Sequence, residues 1–303
     1  VVPLDRAAID PRFRIDTRVA GGSGSDVFKG LDTLTGEVVA IKRLHEFLCE
    51  PGTRARFERE ARILAALRDP HVVRYIAHGL DAGGCPFLVL EWLDGEDLRA
   101  WRRGAGHRAR HAVELVRQGA LGLAALHEAG IVHRDVKPSN FFLAGTIDAP
   151  RVVLIDLGIA CAMSDVEPDM EGRIIGTPLY MSPEQLLGQQ PLGPRSDLFS
   201  LGVVLFELCA GKNPFDGGGI SARVAELRHE HPPRLRDWVP SLDPELDALV
   251  AKVMARRPEE RFSSARELAL ALASLPPSDE LLPGLPHDPE TDTLPSSAAD
   301  EQR

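Results

Sequence analysis

The run IVHRDVKPSNFFL, residues 131–143, sets His133, Arg134, Asp135, Lys137 and Asn140 between apolar flanks. Charged groups in such a setting are costly unless they are paired or put to use. Twenty-one residues after Asp135, VVLIDLG places Asp156 behind a β-branched stretch and just before Gly158. An Asp and an Asn on neighbouring loops are hard oxygen ligands of the kind Mg²⁺ takes. A separate Asp with a Lys beside it suits a base and a phosphate clamp.

Two upstream stretches fit the same chemistry. VAGGSGSDV, residues 19–27, puts glycines between two candidate strands, where backbone N–H groups can approach an anion; an ordinary hairpin turn reads the same way. Lys42 lies in VAIK, an apolar strand in which a Lys is costly unless it is paired. Glu60, on the helix that follows, is its natural partner. A surface Lys ending a strand is the plainer alternative.

These groups must be carried by definite elements. From Phe13 to about Leu90 the pattern predicts strands in TRVAGGSGSDVFKGLD, GEVVAIKRL, VVRYIAHGL and PFLVLEWL. They are interrupted by one helix, RARFEREARILAAL, with Phe57, Ala61, Leu64 and Leu67 at helical spacing. Beyond Asp97 the pattern becomes helical. HAVELVRQGALGLAALHEAG ends at Gly130, SDLFSLGVVLFELCAG is apolar all round and so buried, and PELDALVAKVMA and SARELALALASL follow. From Pro276 the chain turns rich in Pro, Ser and acid, a composition that predicts disorder. There is no internal repeat.

Composition removes several classes. The 303 residues are 44% hydrophobic, enough for a real core. A formal charge of −10, from 45 acidic and 35 basic residues, argues against a nucleic-acid partner. The four cysteines, Cys49, Cys85, Cys161 and Cys209, form no C-x-x-C pair, which argues against zinc and predicts four reduced thiols in a cytosol-like compartment. No apolar run reaches the roughly 18 residues of a membrane helix, and no signal peptide is seen. The expected location is cytoplasmic, without membrane contact by this segment. A first residue other than Met and a polar end are expected of a fragment of something longer.

Taken together, these motifs resemble the eukaryotic-like protein kinases, most closely in style the bacterial Ser/Thr kinases. The resemblance covers about Phe13 to Leu275, with the motifs in family order and spacing. It implies an α+β, bilobal fold: a small antiparallel β-sheet N-lobe with one main helix, and a larger, mainly helical C-lobe. The implied division is a leader over 1–12, an N-lobe over 13–90, hinge and C-lobe over 91–275, and a disordered tail or linker over 276–303.

The resemblance also implies roles. Lys42 contacts the α/β-phosphates of ATP and pairs with Glu60. Asp135 takes or orients the proton of the substrate hydroxyl, and Lys137 steadies the γ-phosphate. Asn140 and Asp156 hold Mg²⁺, with Mn²⁺ as the alternative ion. The glycine-rich loop has Ala20, Gly22 and Ser25 at the family's three glycine positions. Val27 and Ala40 line the roof of the adenine slot, Phe142 its floor, Leu90 is the gatekeeper, and Glu91 and Leu93 offer backbone groups. Thr177 sits near Asp135 and Lys137. Glu184 pairs with Arg261, and Asp197 braces the catalytic loop. His133 is read as structural, against a catalytic imidazole as the sharper alternative. The expected partners are ATP and proteins with Ser/Thr acceptors, the chain itself included; a homodimer is left open.

Departures from the family pattern bear on strength more than on type. Ala20 and Ser25 carry Cβ atoms that restrict the loop, so a weaker nucleotide grip is expected. Leu157 gives DLG in place of DFG, Phe142 is bulkier than the usual Leu, and Ser182 gives SPE in place of APE. The activation segment is poor in hydroxyls, with Ser164 early, and carries Asp165, Glu167, Asp169 and Glu171. One of these carboxylates is expected to partner Arg134, in place of a loop phosphate; a solvated acidic loop is the alternative. The other functions considered are a pseudokinase with a nucleotide-binding or scaffold role, and a small-molecule kinase.

Overall fold

Alternation in VVAIKRL makes the first sheet two-faced. The computed structural model describes residues 9–21, 24–45, 51–104, 106–146, 149–156, 178–215 and 232–283. Strands β1 (Phe13–Gly21), β2 (Ser25–Asp32), β3 (Val38–Leu44), β4 (Tyr75–Leu80) and β5 (Pro86–Glu91) form an antiparallel sheet in the order β1-β2-β3-β5-β4. Val39 and Ile41 turn to one face and are buried with Phe13, Ile15, Phe28, Phe87 and Val89. The two-residue period puts Ala40, Lys42 and Leu44 on the other face, opposite Leu90 and Leu88 of β5. Helix α1 (Pro51–Ala66) covers that face with Phe57, Ala61 and Leu64. Lys42 therefore points from an apolar strand into the space under α1.

The end of the expected leader belongs to this lobe. Ile9 is buried in the outer cluster, and Arg12 forks onto the buried Asp32 at 3.0 and 2.6 Å. That guanidinium holds the Asp32 carboxyl down at about 2.

A second sheet, β6 (Gly95–Asp97), β7 (Phe141–Thr146) and β8 (Ala149–Leu154), sits below the first. Gly95, at φ 146, is required where the chain enters β6, because a Cβ there would collide with the Leu143 carbonyl. Around this sheet lie α2 (Leu98–Trp101), α3 (Ala109–Glu128), α4 (Pro183–Leu186), α5 (Pro194–Ala210), α6 (Leu235–Trp238), α7 (Pro244–Val253) and α8 (Ala265–Ala273). Every residue of α5 from Ser196 to Cys209 is buried, which accounts for its all-round apolar sequence. Helix α3 packs on α5, α8 and β8.

The stretch VVRYIAHGL is not one strand. Val73 N–H donates to Leu154 O at 3.0 Å, and Leu154 N–H to His71 O at 2.8 Å. Val72 and Val73 are therefore taken up by β8 of the lower lobe, and β4 starts only at Tyr75. This bolt fixes β8, and the residues just after it, against the upper lobe.

Two further expectations are corrected. Residues Pro276–Pro283 are ordered. The N–H groups of Ala109 and Arg110, at the start of α3, donate to Glu280 O (2.9 Å) and Ser278 O (3.0 Å), and Leu282 is buried. A Pro- and acid-rich composition gave no hint of this, because the partners are helix N–H groups left over by α3. Cys85 is in a disulfide, so the chain does not carry four reduced thiols. Spacing in sequence could not reveal that approach. Cys49 and Cys161 lie outside the described residues, and Cys209 is free and buried, its thiol pushed up to about 12. Among the described residues no helix is long and apolar enough to cross a membrane.

Candidate active site

Helix α3 ends at Gly130, φ 78, and the chain runs through 131–137 into a 3₁₀ turn, Pro138–Asn140, that leads to β7. Asp197, at the start of α5 and buried, organises this loop. Its carboxylate accepts from His133 N–H and Arg134 N–H, each at 2.8 Å, and lies 2.7 Å from His127 Nε2. Arg134 is thereby held in the left-handed region, φ 65. His133 is fully buried and its Nδ1 accepts from Asp135 N–H at 3.3 Å, a contact that orients backbone.

Asp135 follows directly. Lys137 Nζ donates to its Oδ2 at 2.7 Å, and Asn140 Nδ2 donates to its carbonyl at 2.7 Å and to Oδ2 at 3.2 Å. The Asn140 carbonyl accepts from Ile155 N–H at 3.0 Å, which sets Asp156 beside the loop. Asp156 is itself left-handed, φ 59, and its carboxylate takes the Lys42 ammonium. Crowding by protein raises the Asp156 pKa, but the charge and hydrogen bond of Lys42 more than reverse this and hold the carboxyl below its ordinary value. Asp135, Lys137, Asn140, Asp156 and Lys42 are thus brought together.

The expected Lys42–Glu60 pair is not the one formed, since the Lys42 ion pair is with Asp156. The Lys42 ammonium ends a side chain long enough to cross the cleft, and Asp156 lies on its far side. Gly22, Leu157, Ser164, Asp165, Glu167, Asp169, Glu171 and Thr177 lie outside the described residues. Ala20 is half-buried on β1 opposite Val27, and Ser25 opens β2 opposite Leu44. Across the hairpin, Asp26 accepts from Arg18 and faces His45 at 3.4 Å.

Of the residues expected around a flat apolar ligand, four belong to or touch the main core. Leu90 is buried in the main core, and Ala40, Leu93 and Phe142 pack against it while staying partly exposed. Glu91 donates its N–H to Arg74 O at 2.9 Å, and its side chain accepts from Arg74 N–H at 2.9 Å.

Glu184 and Arg261 form a buried fork, 2.7 and 2.9 Å, and Ser196 Oγ adds a third bond at 2.7 Å. The other Arg261 donors reach the carbonyls of Ala255, Arg195 and Arg256. Burial raises the Glu184 pKa, but Arg261 lowers it further, and the net value lies below the ordinary one. Three further side chains carry no motif signal. His127 contacts Asp197 as above. Glu207, buried in α5, accepts from Tyr180 Oη at 2.6 Å and from Arg102, and Gln185 reaches the loop that carries Asp135. Only Glu207 left a trace in sequence, as a carboxylate inside an apolar helix.

Residues 13–271 match the protein kinase domain family. The chain is 35% identical over 275 residues to the serine/threonine-protein kinase PknL of Mycobacterium tuberculosis, covering 90% of this chain and 68% of that protein. It is 36% identical over 279 residues to the serine/threonine-protein kinase pkn2 of Myxococcus xanthus, covering 89% of this chain and 33% of the relative. In fold it is similar to the kinase domain of PknI of Mycobacterium tuberculosis, with a TM-score of 0.70 at 24% identity over 89% of this chain and 98% of that one. The chain belongs to the protein kinase domain family, as a bacterial-type serine/threonine protein kinase with the bilobal fold.

Proposed function

We propose that the cluster around Asp135 is the phosphoryl-transfer centre of this kinase, and that ATP with Mg²⁺ is its donor, Mn²⁺ being the alternative ion. The observation that carries the reading is the bond from Ile155 N–H to the Asn140 carbonyl, 3.0 Å, which sets Asp156 beside Asp135 and Asn140. The donor set suits a hard divalent ion. Asn140 turns its NH₂ toward Asp135, which leaves the amide oxygen for the cation, and Asp156 keeps a partly exposed carboxylate. The ion, when bound, neutralises phosphate charge.

The rest of the work falls to side chains. Asp135 takes or orients the proton of an acceptor Ser or Thr hydroxyl of a protein. Lys137, 2.7 Å from it, holds positive charge where the transferring group's oxygens gather. Lys42 supplies a cation on the opposite side, and Glu60 on α1 stands as the partner it takes when Asp156 is on the metal. Val27, Ala40, Leu90, Leu93 and Phe142 enclose the adenine, Glu91 and Leu93 present backbone groups, and Ala20, Gly22 and Ser25 cover the phosphates. Thr177, outside the described residues, is assigned a place near Asp135 by the family resemblance alone. The lobes divide as 13–90, with residues 9–12 added to the first, and 91–275, with the ordered stretch 276–283 added to the second. The domain works in the cytoplasm, where ATP is, without a nucleic-acid partner; pairing of two copies is consistent with this reading.

Incubation with ATP and Mg²⁺, followed by mass-spectrometric mapping of the phosphorylated residues, tests the reading, with Asp156→Ala as control. Phosphate on Ser or Thr of the intact chain, none in the control, is expected. Equal incorporation in both would overturn it.

A further inference from the structure

One peptide plane lies directly before Asp135. Its carbonyl, that of Arg134, accepts from Gln185 Nε2 at 2.8 Å. Its N–H, that of Asp135, donates to His133 Nδ1 at 3.3 Å. The preceding plane is anchored by Arg134 N–H on Asp197 Oδ1 at 2.8 Å. Arg134 stands between the two planes at φ 65, a conformation that persists only where the surroundings over-determine it. The peptide unit is rigid, so the tilt of the second plane sets the direction in which Asp135 leaves the backbone.

Gln185 is tied at its other end as well. Its Oε1 accepts from Ser182 N–H at 3.0 Å, and its own N–H faces Ser182 Oγ at 3.4 Å, the reciprocal box that starts α4. The neighbouring Glu184 is clamped by Arg261. One side chain therefore joins the end of the segment GTPLYMSPE to the loop that carries Asp135. The amide does both jobs, since one end must accept from Ser182 and the other must donate to a carbonyl. A neutral Glu could also do both; an ionised one could not.

We propose that Gln185 is a positioning residue for Asp135: its bond to the Arg134 carbonyl fixes the peptide plane before Asp135 and couples that plane to the folding of α4. This rests on the reading of Asp135 as the group that meets the acceptor hydroxyl.

The test compares Gln185→Glu with Gln185→Met in single-turnover transfer to a Ser peptide, each normalised to the unsubstituted enzyme from pH 5 to pH 8. At pH 8 both lose about tenfold in rate with KM for ATP unchanged, as expected for a misaimed group. The Arg134 carbonyl oxygen accepts from a neutral carboxyl and repels an ionised one, which raises the pKa of a Glu set there, so as pH falls toward 5 Gln185→Glu recovers while Gln185→Met stays low. A Gln185→Glu rate within twofold at pH 8, or a deficit that is flat with pH, overturns the inference. Thermal unfolding of both variants identifies loss through misfolding, and a variant that unfolds at assay temperature with no active fraction also counts against a positioning role. Asp135→Asn is run alongside. If it keeps full rate, the reading of Asp135 fails; if it is inactive while Gln185→Glu is fully active, only the role of Gln185 fails.

Discussion

Asp197 holds Arg134 by its backbone, at 2.8 Å, in a left-handed conformation one residue before Asp135. The same carboxylate takes His133 N–H and contacts His127 of α3, so one buried group on α5 satisfies two backbone donors of the loop before Asp135 and ties that loop to α3. A short charged side chain at the start of a buried helix is thus the foundation of the site.

Asp197→Ala leaves those donors buried and unpaired. It is expected to lower stability by about 3 kcal/mol, read from denaturant unfolding. Turnover should fall by about 10²-fold or more in the fraction that remains folded. Full turnover in a folded variant would contradict the brace.

The Glu184–Arg261 fork predicts both a mutational and a pH effect. Arg261→Met leaves a buried carboxylate and is expected to cost about 3–5 kcal/mol, with much of the loss recovered in Arg261→Met/Glu184→Met. Since Arg261 holds Glu184 below its ordinary pKa, the stabilisation is complete above the unfolded value of about 4.3 and is lost as pH falls through the folded value. Unfolding free energy measured from pH 7 to pH 3 should drop less steeply in the double variant.

Lys42 and Asp156 meet directly, and each should matter for nucleotide handling more than for folding. Lys42→Met and Asp156→Asn are expected to reduce turnover by about 10²-fold or more, with melting temperatures near that of the unsubstituted chain. In Asp156→Asn the divalent-ion dependence of ATP binding, followed by calorimetry, should flatten. Removing divalent ions with a chelator should stop transfer in the unsubstituted enzyme.

The ordered end of the chain gives a clean contrast. A chain ending at Leu275 loses the carbonyls that cap Ala109 and Arg110 and the burial of Leu282. It should be less stable by about 2–4 kcal/mol. One ending at Pro283 keeps both and should be the more stable of the two. Equal melting of the two would show that the strap contributes nothing.

Among the described residues nothing hydrogen-bonds the buried Nε of Arg134. Replacing Asp165, Glu167, Asp169 and Glu171 by their amides is expected to lower turnover by about tenfold, if one of these carboxylates answers that cation. Unchanged turnover would dispose of the idea.

Much of the site could be read without coordinates, because its chemistry is local. Asp135, Lys137 and Asn140 lie within one loop, and the five polar groups are spaced by the turn that carries them. Asp197 and the Glu184–Arg261 fork could be named from the family pattern. His127 and Gln185 could not, since their partners are backbone atoms or a carboxylate far along the chain, and nothing in their local sequence marks the contact.

Sequence by itself determined the residue types, their order, and the alternation that turns Lys42 to one face of the sheet while Val39 and Ile41 turn to the other. Those follow from side-chain chemistry and from the two-residue period of a strand. Tertiary structure decided what pairs with what: Lys42 with Asp156, Val73 with Leu154, the start of α3 with residues 278–280, and Cys85 in a disulfide. The first three join positions distant along the chain, where distance is set by packing and no local pattern records it.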